Sequence, residues 1–339
     1  MRQLSRRMLH TATLSLPFIG KARSAEPIRM RCSLDTAPGH GRNLSVADYL
    51  KKVEAASDGR IRTELFSSGQ LFADLNVSKA LIQGQVDMAA PGTWAITSFI
   101  QNADVLQLPA LYDQPIAVIH RVTDGRVGAL IGQDVASKLR SRVLGPWIDN
   151  GFTNWYTTRK PLSSVADLKG LKIRNSGGVA QSWRTRFFDA IPNVTAWPDV
   201  PLALSQGTFD GLMTTNESIA SVKLWEAGVR YSLQDHSSFA AYVPMLSNNF
   251  WSSLTPDLQT LVTDLWAQNI GTYRSNMAES QARALQTLQS QGITVVDVSA
   301  AQASTLRREM MKDQDQLARD LRITPEMMAA LEQDVAGAI

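Results

Sequence analysis

One eight-residue pattern occurs twice in this chain. Ala-Leu-x-Gln-Gly-x-apolar-Asp stands at residues 80–87 and again at residues 203–210. Each copy predicts a helix, a glycine with positive φ just after it, and a strand that begins near the aspartate. Two copies of one such unit favour two similarly built lobes with a ligand cleft between them. The alternative, a chance likeness of two ordinary helix-to-strand turns, stays open because Gly and Asp are common at such turns.

The first third of the chain has the rhythm of an α/β protein. Residues 28–34 alternate in polarity and predict a strand, which ends in the turn formers of residues 35–41. Apolar residues then recur at helical spacing over residues 46–53, and a second strand is predicted over residues 61–65. This order is typical of βαβ units in an α/β fold.

A long helix is predicted in the last third of the chain. Thr255, Pro256 and Asp257 form a strong helix start, and no strong stop follows before Gly292. About 35 residues at about 1.5 Å each give roughly 50 Å, which exceeds one lobe. Gly271 inside this helix costs about 1 kcal/mol against alanine and is a candidate bend.

The first 25 residues are expected to be an export signal. They carry five of the 34 basic residues and none of the 31 acidic ones, around a modest apolar stretch, and Arg6-Arg7 resembles a twin-arginine motif. The remainder has a slight excess of acidic residues, so nucleic-acid binding loses its support. Later apolar stretches are too short for a membrane span, and a periplasmic location is expected.

Catalytic and metal-binding patterns are missing from the sequence. We find no phosphate loop, no G-x-S-x-G elbow and no Cys-x-x-Cys pair, and the four histidines are scattered without metal-ligand spacing. The single cysteine, Cys32, is expected to be a core thiol of the first strand. We therefore expect no cofactor, no metal and no enzymatic activity. As a separate expectation, the protein is a monomer.

Several motifs spread over the chain carry a family resemblance. They are residues 68–71, 106–112, 167–174, 197–211 and 250–254. In this order they resemble the DctP family of TRAP-transporter solute-binding proteins. The resemblance implies an α/β, two-lobed periplasmic-binding-protein-like fold (type II-like) with a long helix spanning both lobes. It also implies a receptor that delivers a small organic anion to TRAP permease membrane subunits.

The resemblance and the pattern of predicted elements together give the domain organisation. The expected parts are residues 1–25 as export signal, 26–150 and 235–256 as lobe I, 151–234 as lobe II, 257–291 as the lobe-spanning helix, and 292–339 as a C-terminal strand and helices that pack on the lobes.

Arg174 is the first ligand-binding candidate, because the family's Leu-Lys-Ile-Arg strand ends in an arginine that pairs with the ligand carboxylate. A planar guanidinium meets both oxygens of such a group and stays charged at physiological pH. Trp197 matches a position where the family often carries an aromatic residue against the solute.

Two departures from the family pattern affect the expected ligand. Thr214 stands where the common form has asparagine, so Thr214 itself or Asn216 is the candidate contact. Thr153 stands where some members place a second arginine. Losing that charge argues against a dicarboxylate or a sialic-acid-like ligand and favours a small monocarboxylate with hydroxyl or keto groups.

Lobe I is expected to add polar groups from loops at strand ends, where open α/β sheets bind ligands. The candidates are Thr36, His40, Asp74, Thr93, Trp94, Asn248 and Asn249. Two alternatives to a transport receptor stay open: a subunit that presents ligand to a sensor, and an exported enzyme on the same scaffold. Sulfonate and phosphate also remain open as the ligand's anionic group, since arginine binds all three.

Overall fold

The structure is a computed structural model that describes residues 26–337. The predicted export signal lies outside the described residues. The strands are β1 (Ile28–Ser33), β2 (Ile61–Phe66), β3 (Met88–Ala89), β4 (Ser141–Val143), β5 (Ile148–Thr157), β6 (Lys172–Asn175), β7 (Ile191–Val194), β8 (Gly211–Thr214), β9 (Tyr231–Tyr242), β10 (Met245–Ser247) and β11 (Thr294–Asp297). The helices are α1 (Gly41–Ala56), α2 (Asp74–Ile82), α3 (Thr93–Ile96), α4 (Ile116–Asp124), α5 (Arg126–Lys138), α6 (Val179–Phe187), α7 (Val200–Ser205), α8 (Asn216–Ser221), α9 (Asn248–Ser253), α10 (Pro256–Ser290), α11 (Ala300–Met311), α12 (Gln314–Asp320) and α13 (Pro325–Ala336).

The strands form two sheets, one in each lobe. The sheet of lobe I has five strands in the order β2-β1-β3-β10-β4, and the sheet of lobe II has six in the order β11-β9-β5-β8-β6-β7. In lobe I, β1 lies parallel to β2 and β3, as βαβ connections require. Its central residues Met30 and Cys32 are fully buried, and burial raises the pKa of the Cys32 thiol to about 12. The predicted two-lobed α/β fold and the core thiol are both confirmed.

The repeated pattern folds in the same way in both lobes. After α2, Gly84 has φ +68° and the amide of Gln85 donates to the carbonyl of Ala80. After α7, Gly207 has φ +71° and the amide of Thr208 donates to the carbonyl of Ala203. The chain then enters β3 in one sheet and β8 in the other, so the repeat predicted the two lobes correctly.

Two long strands connect the lobes. β5 and β9 pair in the sheet of lobe II, with register shifts between Asp149 and Gly151 and between Thr153 and Trp155. Their far ends reach lobe I, where Ile148 and the β9 residues Ala240 and Tyr242 pack in the same core as β1 and α1. The irregular stretch of β5 therefore lies between the two lobes.

The long helix α10 runs along both lobes. Near its start, Val262 and Trp266 pack in the core of lobe I, and near its end Leu288 packs in a core of lobe II. The predicted lobe-spanning helix is confirmed, and the exposed Gly271 does not interrupt it.

The C-terminal segment contains a break between two of its helices. α11 ends at Met311 and α12 begins at Gln314. The break separates two packing partners, since Met310 packs in a core of lobe II and Leu317 in a core of lobe I. The boundaries of the lobes themselves stay a prediction. No helix within residues 26–337 combines the length and the apolar composition that crossing a membrane requires.

Candidate ligand-binding site

A small cavity of about 30 Å³ lies between the two lobes. It receives side chains from the ends of β1, β6 and β8, from the starts of α2 and α6, and from the connecting strands β5 and β9. The lining residues are Asp35, Thr36, Asp74, Leu75, Trp94, Asn150, Thr153, Arg174, Ser176, Gln181, Trp197, Thr214, Ser218, Ala240 and Tyr242.

The lobes are closed around this cavity. A Cβ atom at Gly177 of lobe II would stand 3.0 Å from Leu75 Cδ2 of lobe I, and one at Gly69 of lobe I would stand 2.9 Å from Pro198 Cγ of lobe II. Both glycines have positive φ, which other residues adopt at a cost. The two surfaces therefore approach each other at places that lack side chains.

Arg174 presents a buried guanidinium to the cavity. Only 1% of its surface is exposed, and its strand β6 lies between β7 and β8 inside the sheet. Nε and Nη2 donate to the carbonyl oxygen of Thr195 at 2.9 and 2.8 Å, and Nη1 donates to Ser176 Oγ at 2.9 Å. Three of the five N–H groups are thus held by lobe II, which fixes the plane of the guanidinium.

The charge of Arg174 has no ion-pair partner among the carboxylates of residues 26–337. Burial lowers the pKa of this guanidinium to about 10, and Asp35 opposes the shift only partly. The Trp197 ring lies 5.4 Å from Arg174 Cζ and gives a weak cation–π contact. An unpaired buried charge is costly in a folded protein, and an anion placed beside Arg174 would offset that cost.

A second buried arginine, Arg42, stands behind the lobe I wall. Its Nη1 donates to Asp74 Oδ2 at 2.9 Å, its Nη2 donates to Asp35 Oδ1, and both carboxylates line the cavity. Burial opposes the charge of Arg42, but Asp74, Tyr242 and Asp35 outweigh it and raise its pKa. Burial also raises the pKa of Asp74, against the lowering effect of Arg42.

The connecting strands β5 and β9 also line the cavity. Arg42 Cζ lies 4.0 Å from the centroid of the Tyr242 ring, and burial raises the pKa of the tyrosine hydroxyl. Thr153 Oγ1 pairs with Ser238 Oγ at 2.9 Å, which ties β5 to β9 beside the cavity. Thr153 therefore contributes a neutral hydroxyl to the cavity.

Most of the predicted site residues come together. Those that line the cavity are Arg174, Trp197, Thr214, Thr153, Asp74, Trp94 and Thr36. Five candidates do not line it, namely His40, Asn216, Thr93, Asn248 and Asn249. Whether the lining residues contact a ligand stays a prediction.

The position of His40 differs from its prediction because the residue caps α1. Its Nδ1 accepts the Arg42 backbone N–H at 3.1 Å, and its Nε2 lies 2.7 Å from Glu217 Oε2. Both ring nitrogens therefore have partners, and Nε2 also lies 3.4 Å from Oγ of Ser218, which lines the cavity. His40 thus caps α1 beside Arg42 and does not line the cavity, and a contact of His40 with a ligand stays a prediction.

Asn216 also lies elsewhere. It was the alternative to Thr214, as an amide two residues further along the chain, but β8 ends at Thr214 and α8 begins at Asn216. Its amide pairs with Gln234, its Oδ1 accepts from Tyr156 Oη at 2.6 Å, and it lines a separate cavity beside α10. Thr214 is the candidate that reaches the interlobe cavity.

Sequence reasoning named Asp74 but missed Arg42 and Asp35, the other two members of the charged cluster of lobe I. Arg42 lies on the face of α1 that buries Val46, Tyr49 and Val53, and an arginine in register with those apolar residues was a usable signal. Tyr242 and Asn150 gave no such signal, because only the strand pairing brings them to the cavity. No group of three or more metal-ligating side chains occurs in the described part of the chain.

Comparisons with known proteins place this chain in one class, the two-lobed extracytoplasmic solute-binding proteins. The family model described as bacterial extracellular solute-binding protein, family 7 (DctP), matches residues 35–320. The chain therefore belongs to this family, as the sequence motifs indicated. The C4-dicarboxylate-binding periplasmic protein DctP of Rhodobacter capsulatus is 26% identical over 328 residues, which cover 95% of this chain and 94% of the relative.

Solved structures share the fold. The sugar acid binding protein DctPAm of Advenella mimigardefordensis, in complex with galactonate, has a TM-score of 0.86 at 22% identity and covers 92% of this chain and 99% of its own. A TRAP periplasmic solute-binding protein of Ralstonia eutropha H16, with bound (S)-2-acetolactate, has a TM-score of 0.82 at 22% identity and covers 91% of this chain and 99% of its own.

Proposed function

We propose that this protein is an extracytoplasmic receptor for a small organic anion, a monocarboxylate with hydroxyl or keto groups, which it delivers to a TRAP-type membrane permease. The observation that carries the proposal is the buried, unpaired guanidinium of Arg174 beside the interlobe cavity. Two of its N–H groups have no partner within residues 26–337, which is the number that a carboxylate accepts in a bidentate pair.

The ligands bound to similar proteins support an organic acid as the ligand of this protein. Galactonate and (S)-2-acetolactate, bound in the structures described above, each combine a carboxylate with hydroxyl or keto groups. This chain has the matching chemistry, since a guanidinium faces hydroxyl and amide groups such as those of Thr214, Tyr242 and Asn150. The small size of the closed cavity favours a compact member of this class.

A ligand that contacts both lobes would stabilise their closed arrangement. Arg174 belongs to lobe II, while Thr36 and Trp94 belong to lobe I, so a ligand that touches both groups binds the closed state more tightly than the open one. The closed state would then dock on the permease in the periplasm. The role requires no catalysis, and a bound acid is expected to be recovered chemically unchanged.

The test is isothermal titration of the wild type and Arg174→Met with lactate, pyruvate, 3-hydroxybutanoate, 2-acetolactate and galactonate. Native mass spectrometry of the freshly purified protein would add any co-purified anion to the panel. Hydrogen bonds to a charged group contribute about 1.5 to 3 kcal/mol each, so losing two should weaken binding at least about 100-fold.

Arg142→Met is the matched control, because Arg142 stacks on Trp251 in lobe I and does not line the cavity. It removes the same charge and should leave the affinity unchanged. Wild-type affinity in Arg174→Met for an acid that the wild type binds would refute the proposal.

A further inference from the structure

The guanidinium of Arg42 has no donor left for a ligand. Nε and Nη2 donate to Thr36 Oγ1 at 3.1 and 2.9 Å, Nη1 donates to Asp74 and to the carbonyl oxygen of Ala90, and Nη2 also donates to Asp35. All five N–H groups are therefore engaged inside lobe I. Arg42 is a buried charge beside the site that cannot clamp a second anionic group.

The two carboxylates that hold Arg42 keep acceptor capacity toward the cavity. Asp74 Oδ1 accepts one long bond from Arg42 Nη1 at 3.2 Å, and Asp35 Oδ2 accepts one from the Asp74 amide at 3.2 Å. A carboxylate oxygen has room for two hydrogen bonds, so each can accept another. Because both residues line the cavity, the acceptors are available to a ligand hydroxyl.

The charges of the cavity are consequently divided between its walls. Lobe I presents two carboxylates against one arginine, and lobe II presents Arg174 without a carboxylate of its own. Thr153 contributes no charge between them. A ligand that places one carboxylate on Arg174 and spans the cavity to the wall of lobe I brings its other end toward Asp35 and Asp74.

We infer that Asp35 and Asp74, held by Arg42, are the specificity determinants of this site: they select a monocarboxylate whose far end carries a hydroxyl donor and they reject a second carboxylate. The inference rests on the proposed function, because it takes Arg174 as the anchor of the first carboxylate. A far-end hydroxyl would donate to Asp74 or Asp35, whereas a far-end carboxylate would meet like charge without a free cation.

The experiment uses acids that differ only at the far end. Titration at about pH 8.5, where Asp74 is charged despite its raised pKa, would compare 4-hydroxybutanoate, butanoate and succinate. The three-carbon series 3-hydroxypropanoate, propanoate and malonate repeats the comparison at a second length. For the wild type we expect the hydroxy acid to bind tightest and the dicarboxylate at least about 100-fold more weakly.

Asp74→Asn and Asp35→Asn remove one charge each while an amide oxygen still accepts from Arg42. Each should reduce the ratio of hydroxy-acid to dicarboxylate affinity at least about tenfold. Asp87→Asn is the control, because Asp87 pairs with Arg31 in the same lobe and does not line the cavity. The control should leave the ratio unchanged.

The outcomes separate this inference from the proposed function. Equal wild-type affinities for succinate and 4-hydroxybutanoate would overturn it, even if both variants failed to fold. An unchanged ratio in folded Asp74→Asn and Asp35→Asn would overturn it as well, with acid binding at Arg174 intact. Failure of the wild type to bind any acid of the six or of the earlier panel would instead refute the receptor itself.

Discussion

Nε2 of His40 lies 2.7 Å from Oε2 of Glu217, and this contact joins the first helix of lobe I to α8 of lobe II. The hydrogen bond at Nδ1 decides which ring nitrogen carries the proton. Nδ1 accepts from the Arg42 amide, so Nε2 carries the proton and donates. Glu217 Oε1 accepts from the Gly41 amide at 2.9 Å, so the carboxylate also caps α1. The pair holds the helix start that carries Arg42.

His40→Ala should accordingly cost stability more than ligand affinity. The variant loses the helix cap and leaves the buried Glu217 carboxylate without its imidazole partner, which together cost about 2 to 3 kcal/mol. Urea unfolding measures this loss, and titration with the ligand identified for the wild type should give less than about a threefold change. A large loss of ligand affinity without a loss of unfolding free energy would indicate that His40 contacts the ligand.

Gly177→Ala tests closure without touching the ligand. Its Cβ would stand 3.0 Å from Leu75 Cδ2 and 3.3 Å from the Trp94 carbonyl oxygen, both in the other lobe. The closed state alone suffers this contact, so ligand affinity should fall about tenfold. Gly170→Ala is the control, because Gly170 also has positive φ in lobe II but has open space around its Cβ position. Equal losses in the two variants would mean that backbone strain, and not closure, is responsible.

The fold could be predicted because its signals are local. The glycine after α2 and the glycine after α7 mark the same turn twice, and Thr255-Pro256-Asp257 marks the start of α10. The break between α11 and α12 could not be predicted, because no Gly or Pro stands there and only the change of packing partner ends the helix.

The site residues, too, could be predicted only where the local sequence carries a signal. Arg174 lies in a strand with a family motif, whereas the cluster around Arg42 depends on three segments that meet only in the folded lobe. Tyr242 reaches the cavity through the pairing of β9 with β5, which local sequence does not encode. Asn216 lies beyond the end of β8, at the start of α8, and therefore lines the cavity beside α10 and not the interlobe cavity.

Gly271→Ala should stabilise the protein. Gly271 lies in the interior of α10, is exposed, and has nothing within 4 Å of its Cβ position. Alanine is favoured over glycine in such a place by about 0.5 to 1 kcal/mol, which urea unfolding resolves. Gly128→Ala in α5 should do the opposite, because its Cβ would stand 1.9 Å from the Thr123 carbonyl oxygen. A destabilised Gly271→Ala variant would indicate that α10 needs flexibility at this point.

Asp104 should make stability depend on pH. This carboxyl of lobe I faces the first turn of α6 in lobe II, where the amides of Ala180 and Val179 favour its charged form, but burial dominates and raises its pKa to about 7. The folded protein therefore binds this proton more tightly than the unfolded chain. The stabilisation that this proton gives to the folded protein is fully present below the pKa of Asp104 in the unfolded chain, near 3.8. It is lost as pH rises through the pKa of Asp104 in the folded protein, about 7.

Asp104→Asn separates this effect from the other carboxyl groups. Three pKa units correspond to at most about 4 kcal/mol, so the variant should be more stable than the wild type at pH 8 and lose that advantage toward pH 4. Urea unfolding across this range measures the difference, with Asp58→Asn, an exposed carboxylate of the same lobe, as the control. A constant difference between Asp104→Asn and the wild type from pH 4 to pH 8 would show that Asp104 does not take up the proton on folding, because the amide has no titration of its own in this range.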